Sequence, residues 1–167
     1  MYEILRRGSV RENFSVETYT SVRPGDISQG ILDFKPAIIH FSGHGTENGE
    51  ILLENESGEI QPLSATNFAG YFARIQPQIP IHCLILNACH SAPLAQALAT
   101  HLPYVIGMDI AISDAAAMKF AVGFYKALAN HASIPEAYHQ GCGEIQLYNL
   151  AEELTPKLYQ KIGSNRH

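Results

Sequence analysis

IHCLILN, residues 81–87, is apolar at nearly every position and ends in Asn87-Ala88-Cys89-His90-Ser91. A run of that length with no polar alternation reads as a central strand of a parallel sheet, covered on both faces. A second short run, PAIIHFSG at 36–43, is β-branched and apolar, and it leads into Ser42-Gly43-His44-Gly45. Between and beyond these runs lie helical patterns: from Pro24 through GDISQGILDF, from Ser64 through SATNFAGYFARI, APLAQALATH, AAAMKFAVGFYKALANH opened by Ser113 and Asp114, and PEAYHQGCGEIQLYNL opened by Ser133. Ser or Thr before a periodic apolar run marks a helix start, as does Pro in the first turn.

The remaining segments fill in the order. FSVETYT at 14–20 alternates and predicts a strand, and GEILLEN with SGEIQ at 49–61 predicts a hairpin. PYVIGMD at 103–109 predicts another strand, EILRR at 3–7 the end of a helix, and LTPKLYQKI a short C-terminal helix. Strands alternating with helices predict an α/β fold with a mostly parallel sheet. No repeat, linker or shift in composition divides the 167 residues, so one domain over 1–167 is expected.

Composition narrows the function. Net charge is −5 and only 16% of residues are charged, with no basic stripe, which speaks against nucleic-acid binding. No apolar stretch approaches the roughly 20 residues that span a bilayer, so no membrane partner is expected. Three cysteines, Cys83, Cys89 and Cys142, form no disulfide framework and fit a reducing, cytoplasmic setting. No GxGxxG or GxxxxGK[ST] phosphate loop follows a strand, and no cofactor is expected.

The chemistry gathers at two strand ends. In open α/β sheets, reactive groups collect just past the C-terminal ends of strands. His44 and Cys89 each sit there. If their strands are neighbours, an imidazole faces a thiol whose ordinary pKa is about 8.5, and that pair makes a nucleophile with its acid-base partner. Gly43 and Gly45 allow a tight turn and close approach of a ligand. The amides of Gly45 and Cys89 form a possible oxyanion hole, and a helix starting near Ser91 favours a thiolate through its dipole. Each residue alone has a duller reading, as a structural histidine or a packed cysteine. A zinc site from His40, His44, Cys89 and His90 is the less favoured alternative, because a strand running into a turn does not present them on one face. His40 reads as a core residue or as one that supports the site residues, Cys83 as buried packing, and Cys142, between two glycines, as a helix-packing position.

FSGHG with LNACHS, set in SVRPGDISQGILDFKPAIIHFSGHG and YVIGMDIAISDAAAMKFAVGFYKAL, resembles the caspase-like cysteine peptidases of clan CD, and within them the bacterial CHAT-domain branch. The 45-residue separation of His44 and Cys89 is similar to the roughly 50 of caspases. The resemblance implies a three-layer caspase-like sandwich and peptide hydrolysis without a metal. In that reading Cys89 attacks the carbonyl, His44 protonates the leaving amine, and the Gly45 and Cys89 amides bind the oxyanion. It implies Asn87 as a substrate-binding residue where metacaspases often carry Asp for a basic P1 side chain, with Asp109 and Asp114 as further pocket acids. A protein or peptide substrate and a regulatory or scaffold protein are the implied partners. A catalytically impaired interaction module is the alternative. Family members place a strand and helix before the FSVETYT strand. The chain is therefore expected to start inside that first helix, without the central first strand, and the FSVETYT segment to be displaced, mobile or abnormally paired.

Overall fold

The computed structural model describes residues 14–20 and 22–163. The helix end expected at 3–7 lies outside them. Two compact units emerge. Of the described residues, one gathers 14–18 with 112–156, and the other 19–111 with 157–163.

The larger unit holds a sheet of order β1-β4-β5-β6 and a separate β2-β3 hairpin. Its elements are α1 (Pro24–Phe34), β1 (Ile38–Ser42), β2 (Ile51–Glu54), β3 (Ile60–Leu63), α2 (Ala65–Ile75), β4 (Cys83–Asn87), α3 (Ala92–Leu98), β5 (Tyr104–Met108) and β6 (Pro156–Gln160). The β1–β4 and β4–β5 pairs are parallel. All five residues of β4 are buried, as its unbroken apolar run requires. Leu84 and Leu86 point into the main core with Phe68, Phe72, Leu94, Leu98 and Leu102. Their register partners Ile39 and Phe41 on β1 pack against the same cluster. The intervening His40, in register with Ile85, therefore faces the other side of the sheet. Ser64 caps α2 by accepting the Asn67 N–H at 3.2 Å. That sets Phe68 and Phe72 one turn apart on the buried face, where they meet edge to face at 5.0 Å.

The second unit is a helical hairpin, α4 (Asp114–Ala129) and α5 (Ile134–Leu147). Ser113 caps α4 and Ser133 with Glu136 forms a capping box on α5. The helices approach closely because small residues face each other. A Cβ on Gly123 would meet the Gln140 carbonyl, and one on Gly141 would lie 2.6 Å from the Phe120 ring. Cys142 is half-buried beside that contact, so Gly141 is the packing position of this segment.

The architecture is the expected mixed α/β one with a mostly parallel sheet. Two local expectations fail. The tail read as a helix is strand β6: the Lys161 N–H donates to the Pro103 carbonyl at 3.0 Å, and Tyr159 packs on the core. The open edge of β5 outweighs the tail's helical spacing. FSVETYT forms no strand; residues 15–20 are exposed and 14–20 pair with no ladder. An alternating pattern without a core face to cover has no burial to hold it in register. Among the described residues β1 is an edge of its sheet. No helix among them is long and apolar enough to cross a membrane.

Candidate active site

The β1–β4 ladder runs from Ile38↔Cys83 to Ser42↔Asn87. One further bond, from the Gly43 N–H to the Asn87 carbonyl at 3.3 Å, carries the pairing just past its last rung. His44 and Cys89 thus leave the same end of two adjacent strands, each two residues beyond the final pair. The neighbouring strands that the sequence reading required are present.

The His44 segment folds back on itself and is tied to β2. The His44 carbonyl accepts the Leu52 N–H at 3.0 Å, and Gly45 bridges Ile51. The Thr46 N–H donates to the Glu50 carbonyl at 3.0 Å, and the Thr46 hydroxyl donates to the Glu50 carboxylate at 3.1 Å. These bonds leave the His44 side chain exposed at the tip. Gly45 lies so close to the other turn that a Cβ on it would run into the Cys89 carbonyl oxygen. Neither Gly43 nor Gly45 has a positive φ; in this loop that role falls to Gly49, at φ 76°. The first two glycines therefore serve close approach, and the tight-turn role expected of them belongs to Gly49.

Cys89 occupies a turn between β4 and α3. His90 next to it has φ 57°, a left-handed conformation uncommon for a residue with a side chain. At the end of the turn, buried Ser91 donates through its hydroxyl to the Leu86 carbonyl at 2.9 Å and accepts the Met108 N–H at 2.9 Å. Sequence reading placed Ser91 at a helix start. Its hydroxyl does not cap α3, which is seven residues long, so the expected helix dipole is given no part in the chemistry. Only a serine following Cys-His hints at the bond to β5, and no sequence pattern names its partner. Neither the Gly45 nor the Cys89 amide N–H donates a hydrogen bond among the described residues.

The other named residues separate. Asn87, the last residue of β4, is 8% exposed, and its Oδ1 has no hydrogen-bond partner among the described residues. Asp109 follows β5 and is exposed. Burial, and secondarily the Asp109 charge, raise the pKa of Tyr159 on β6. Asp114 belongs to the helical unit, as the first residue of α4, and Ser113 rather than Asp114 supplies the cap. Burial pushes the Cys83 thiol up to about 12 and the His40 imidazole down to about 4. Both act as core groups, and no three His, Cys, Asp or Glu side chains among the described residues converge as metal ligands. Cys83→Ala is expected to lower stability by about 1–2 kcal/mol, as truncation of a buried side chain does. A denaturant midpoint measures it, and the alkylation rate of Cys89 should stay within about twofold if Cys83 only packs.

A family model described as the CHAT domain matches residues 3–147. A protein named "Roc-COR-CHAT protease", from an unknown prokaryotic organism, is 25% identical over 131 residues, covering 76% of this chain and 12% of its own length. A "Probable protease" from Gillisia limnaea is 25% identical over 126 residues, covering 75% of this chain and 22% of its own length. The chain thus spans less than a quarter of either relative. With most of its length matched by one family model, the chain belongs to the CHAT domain family.

Proposed function

We propose that the protein is a cysteine endopeptidase domain of caspase-like type in which Cys89 is the nucleophile and His44 its acid-base partner. The observation that carries the reading is the equal offset of the two residues from the Ser42↔Asn87 pair, with the Gly45 backbone seated against Cys89. In the proposed cycle the Cys89 thiolate adds to the peptide carbonyl carbon. The negative oxygen that forms accepts hydrogen bonds from the Gly45 and Cys89 amides, which donate to no other group among the described residues. The imidazolium of His44 gives its proton to the amine nitrogen as the C–N bond breaks, leaving a thioester on Cys89. Water then attacks the thioester and His44 takes one of its protons; the C–S bond breaks to restore the thiolate, and the released carboxylic acid gives its proton to solvent.

Asn87 is the proposed recognition residue. Its buried Oδ1, without a partner among the described residues, supports an acceptor waiting for a donor on the P1 side chain. Neither Asn87 nor exposed Asp109, just past β5, supplies a cation, so an Asp at P1 is disfavoured. The protease names of the relatives support the same class of activity, and a regulatory or scaffold protein is the proposed partner.

A peptide carrying a thiol-directed electrophile tests the reading. It is expected to modify Cys89 and spare Cys83, located by mass spectrometry of the intact chain and its digest. His44→Ala should slow that modification by about 100-fold or more, the ordinary worth of positioned acid-base help. Absence of Cys89 labelling across a P1-varied panel, in a folded chain, would leave the interaction-module reading in its place. Preferred cleavage after Asp would overturn the role of Asn87.

A further inference from the structure

The β4–β5 ladder stops early. Its pairs are Cys83↔Tyr104, Leu84↔Val105 and Ile85↔Ile106, whereas β4 stays paired to β1 through Asn87. Just past the last β4–β5 rung, the Ser91 hydroxyl stands between the strands. It donates to the Leu86 carbonyl and accepts from the Met108 N–H, each at 2.9 Å, and the residue is 2% exposed. One side-chain oxygen therefore satisfies a buried acceptor of β4 and a buried donor of β5 that would otherwise have no partner across the gap.

Ser91 also has a shaped seat. Gly107 on β5 has no Cβ, and one placed there would lie 2.7 Å from the Ala95 Cβ, 2.9 Å from the Ser91 carbonyl oxygen and 3.1 Å from the Ala92 Cα. The start of α3 rests on the β5 backbone at that point. The bond from Ser91 to Leu86 closes the base of the turn that carries Cys89, and the bond to Met108 fixes that base to the next strand. On the other side the same turn meets Gly45 through the Cys89 carbonyl and Gly49 through the His90 carbonyl, the latter at 3.8 Å from an added Cβ.

We infer that Ser91 is a positioning residue: its hydroxyl bridge from Leu86 to Met108 sets the Cys89 thiol and amide in line with His44 and Gly45. The inference rests on the peptidase reading above. Ser91 touches no substrate; it acts by holding the turn, and the Cys89 geometry follows from it. Removing the hydroxyl leaves two buried main-chain groups to find new partners, and the turn above them shifts.

The test compares Ser91→Ala, Ser91→Thr and Gly107→Ala in the full chain, with folding followed by near-UV circular dichroism. For the best fluorogenic peptide, Ser91→Ala is expected to lose roughly 10–100-fold in kcat, the effect of an ångström-scale misplacement. KM should stay within about twofold, since peptide binding is untouched. Ser91→Thr keeps the hydroxyl and should recover most of the rate. Gly107→Ala keeps Ser91 but lifts its seat, and should lower kcat in the same selective way. A folded Ser91→Ala chain with wild-type kcat, or equal damage from Ala and Thr, overturns the inference. If Ser91→Ala does not fold, Gly107→Ala decides: wild-type kcat in that folded variant overturns it.

A second readout needs no turnover. Iodoacetamide modification of Cys89, measured against Cys142 in the same chain, should change at least about fivefold in Ser91→Ala and little in Ser91→Thr, as expected if the thiol's surroundings depend on the hydroxyl. An unchanged ratio overturns the inference even where no peptide is cleaved. Wild-type failure to cleave any peptide or take any peptide electrophile counts against the peptidase reading instead, so the two failures remain distinct.

Discussion

Gly45→Ala is expected to reduce kcat by about two to three orders of magnitude, the scale of losing an oxyanion donor, while Gly43→Ala is expected to cost far less. The two glycines flank His44 and share ordinary backbone angles, so neither substitution is strained by φ. They differ in what the new methyl meets. At Gly45 it meets the Cys89 carbonyl, which is main chain in a turn held at its base by Ser91. At Gly43 it meets the tip of the Phe41 ring at 2.9 Å, a side chain that can swing aside. The Gly45 methyl must therefore push the His44 loop off the Cys89 turn, moving the imidazole and the Gly45 amide together. A stability loss of about 1–3 kcal/mol should accompany it, as for other overpacked sites. Steady-state kinetics and denaturant midpoints of the two variants measure the contrast. Equal activity of Gly43→Ala and Gly45→Ala would refute the close seating as a catalytic requirement.

Acid is expected to weaken the fold well before carboxylates would do so alone. His40 is held neutral by burial, its pKa lowered to about 4. An unfolded chain binds a proton there near pH 6.5, so between pH 6.5 and 4 the unfolded state carries more protons than the folded one. Stability contributed at neutral pH is thus lost as pH falls through this window, by up to roughly 3 kcal/mol. Urea midpoints measured from pH 7.5 to pH 4.5 should fall steadily below about pH 6.5. His40→Gln, which cannot titrate, should flatten that slope. A slope unchanged by the substitution would assign the acid sensitivity elsewhere.

Much of the site was legible because it depends on one local fact repeated twice. A buried strand ends in a turn, and a reactive side chain stands in it. PAIIHFSGHG and IHCLILNACHS both announce that, and parallel α/β topology then places the two ends on one edge. The caps Ser64, Ser113 and Ser133 were legible for the same reason: the amide N–H that each hydroxyl accepts lies three residues on. What escaped were bonds decided by distant partners. Ser91 reads as a cap until β5 supplies the Met108 N–H, 17 residues on. The tail reads as a helix until an open strand edge offers more hydrogen bonds than a helix of its own. FSVETYT has the pattern of a strand and joins no ladder among the described residues. The glycines beside His44 read as a tight turn and room for a ligand; Gly45 is instead clearance for the Cys89 carbonyl, which only the facing turn could reveal.

The pairing of β1 with β4 joins residues 45 apart in the chain, from Ile38↔Cys83 to Ser42↔Asn87. Such a contact closes a long loop, with β2, β3 and α2 inside it, and its entropy must be met before any rung rewards it. His44 and Cys89 are therefore strangers in every partly folded form that lacks this ladder. A slip by a single rung would part them by about 3.3 Å along the strands and turn their neighbours to the opposite faces. Reactivity of Cys89 toward a peptide electrophile then serves as a clock for late folding: in a refolding time course it should lag the appearance of helical signal and rise with closure of the parallel sheet. A nascent or misfolded chain carries both residues yet is chemically mute, a safeguard that comes from topology alone.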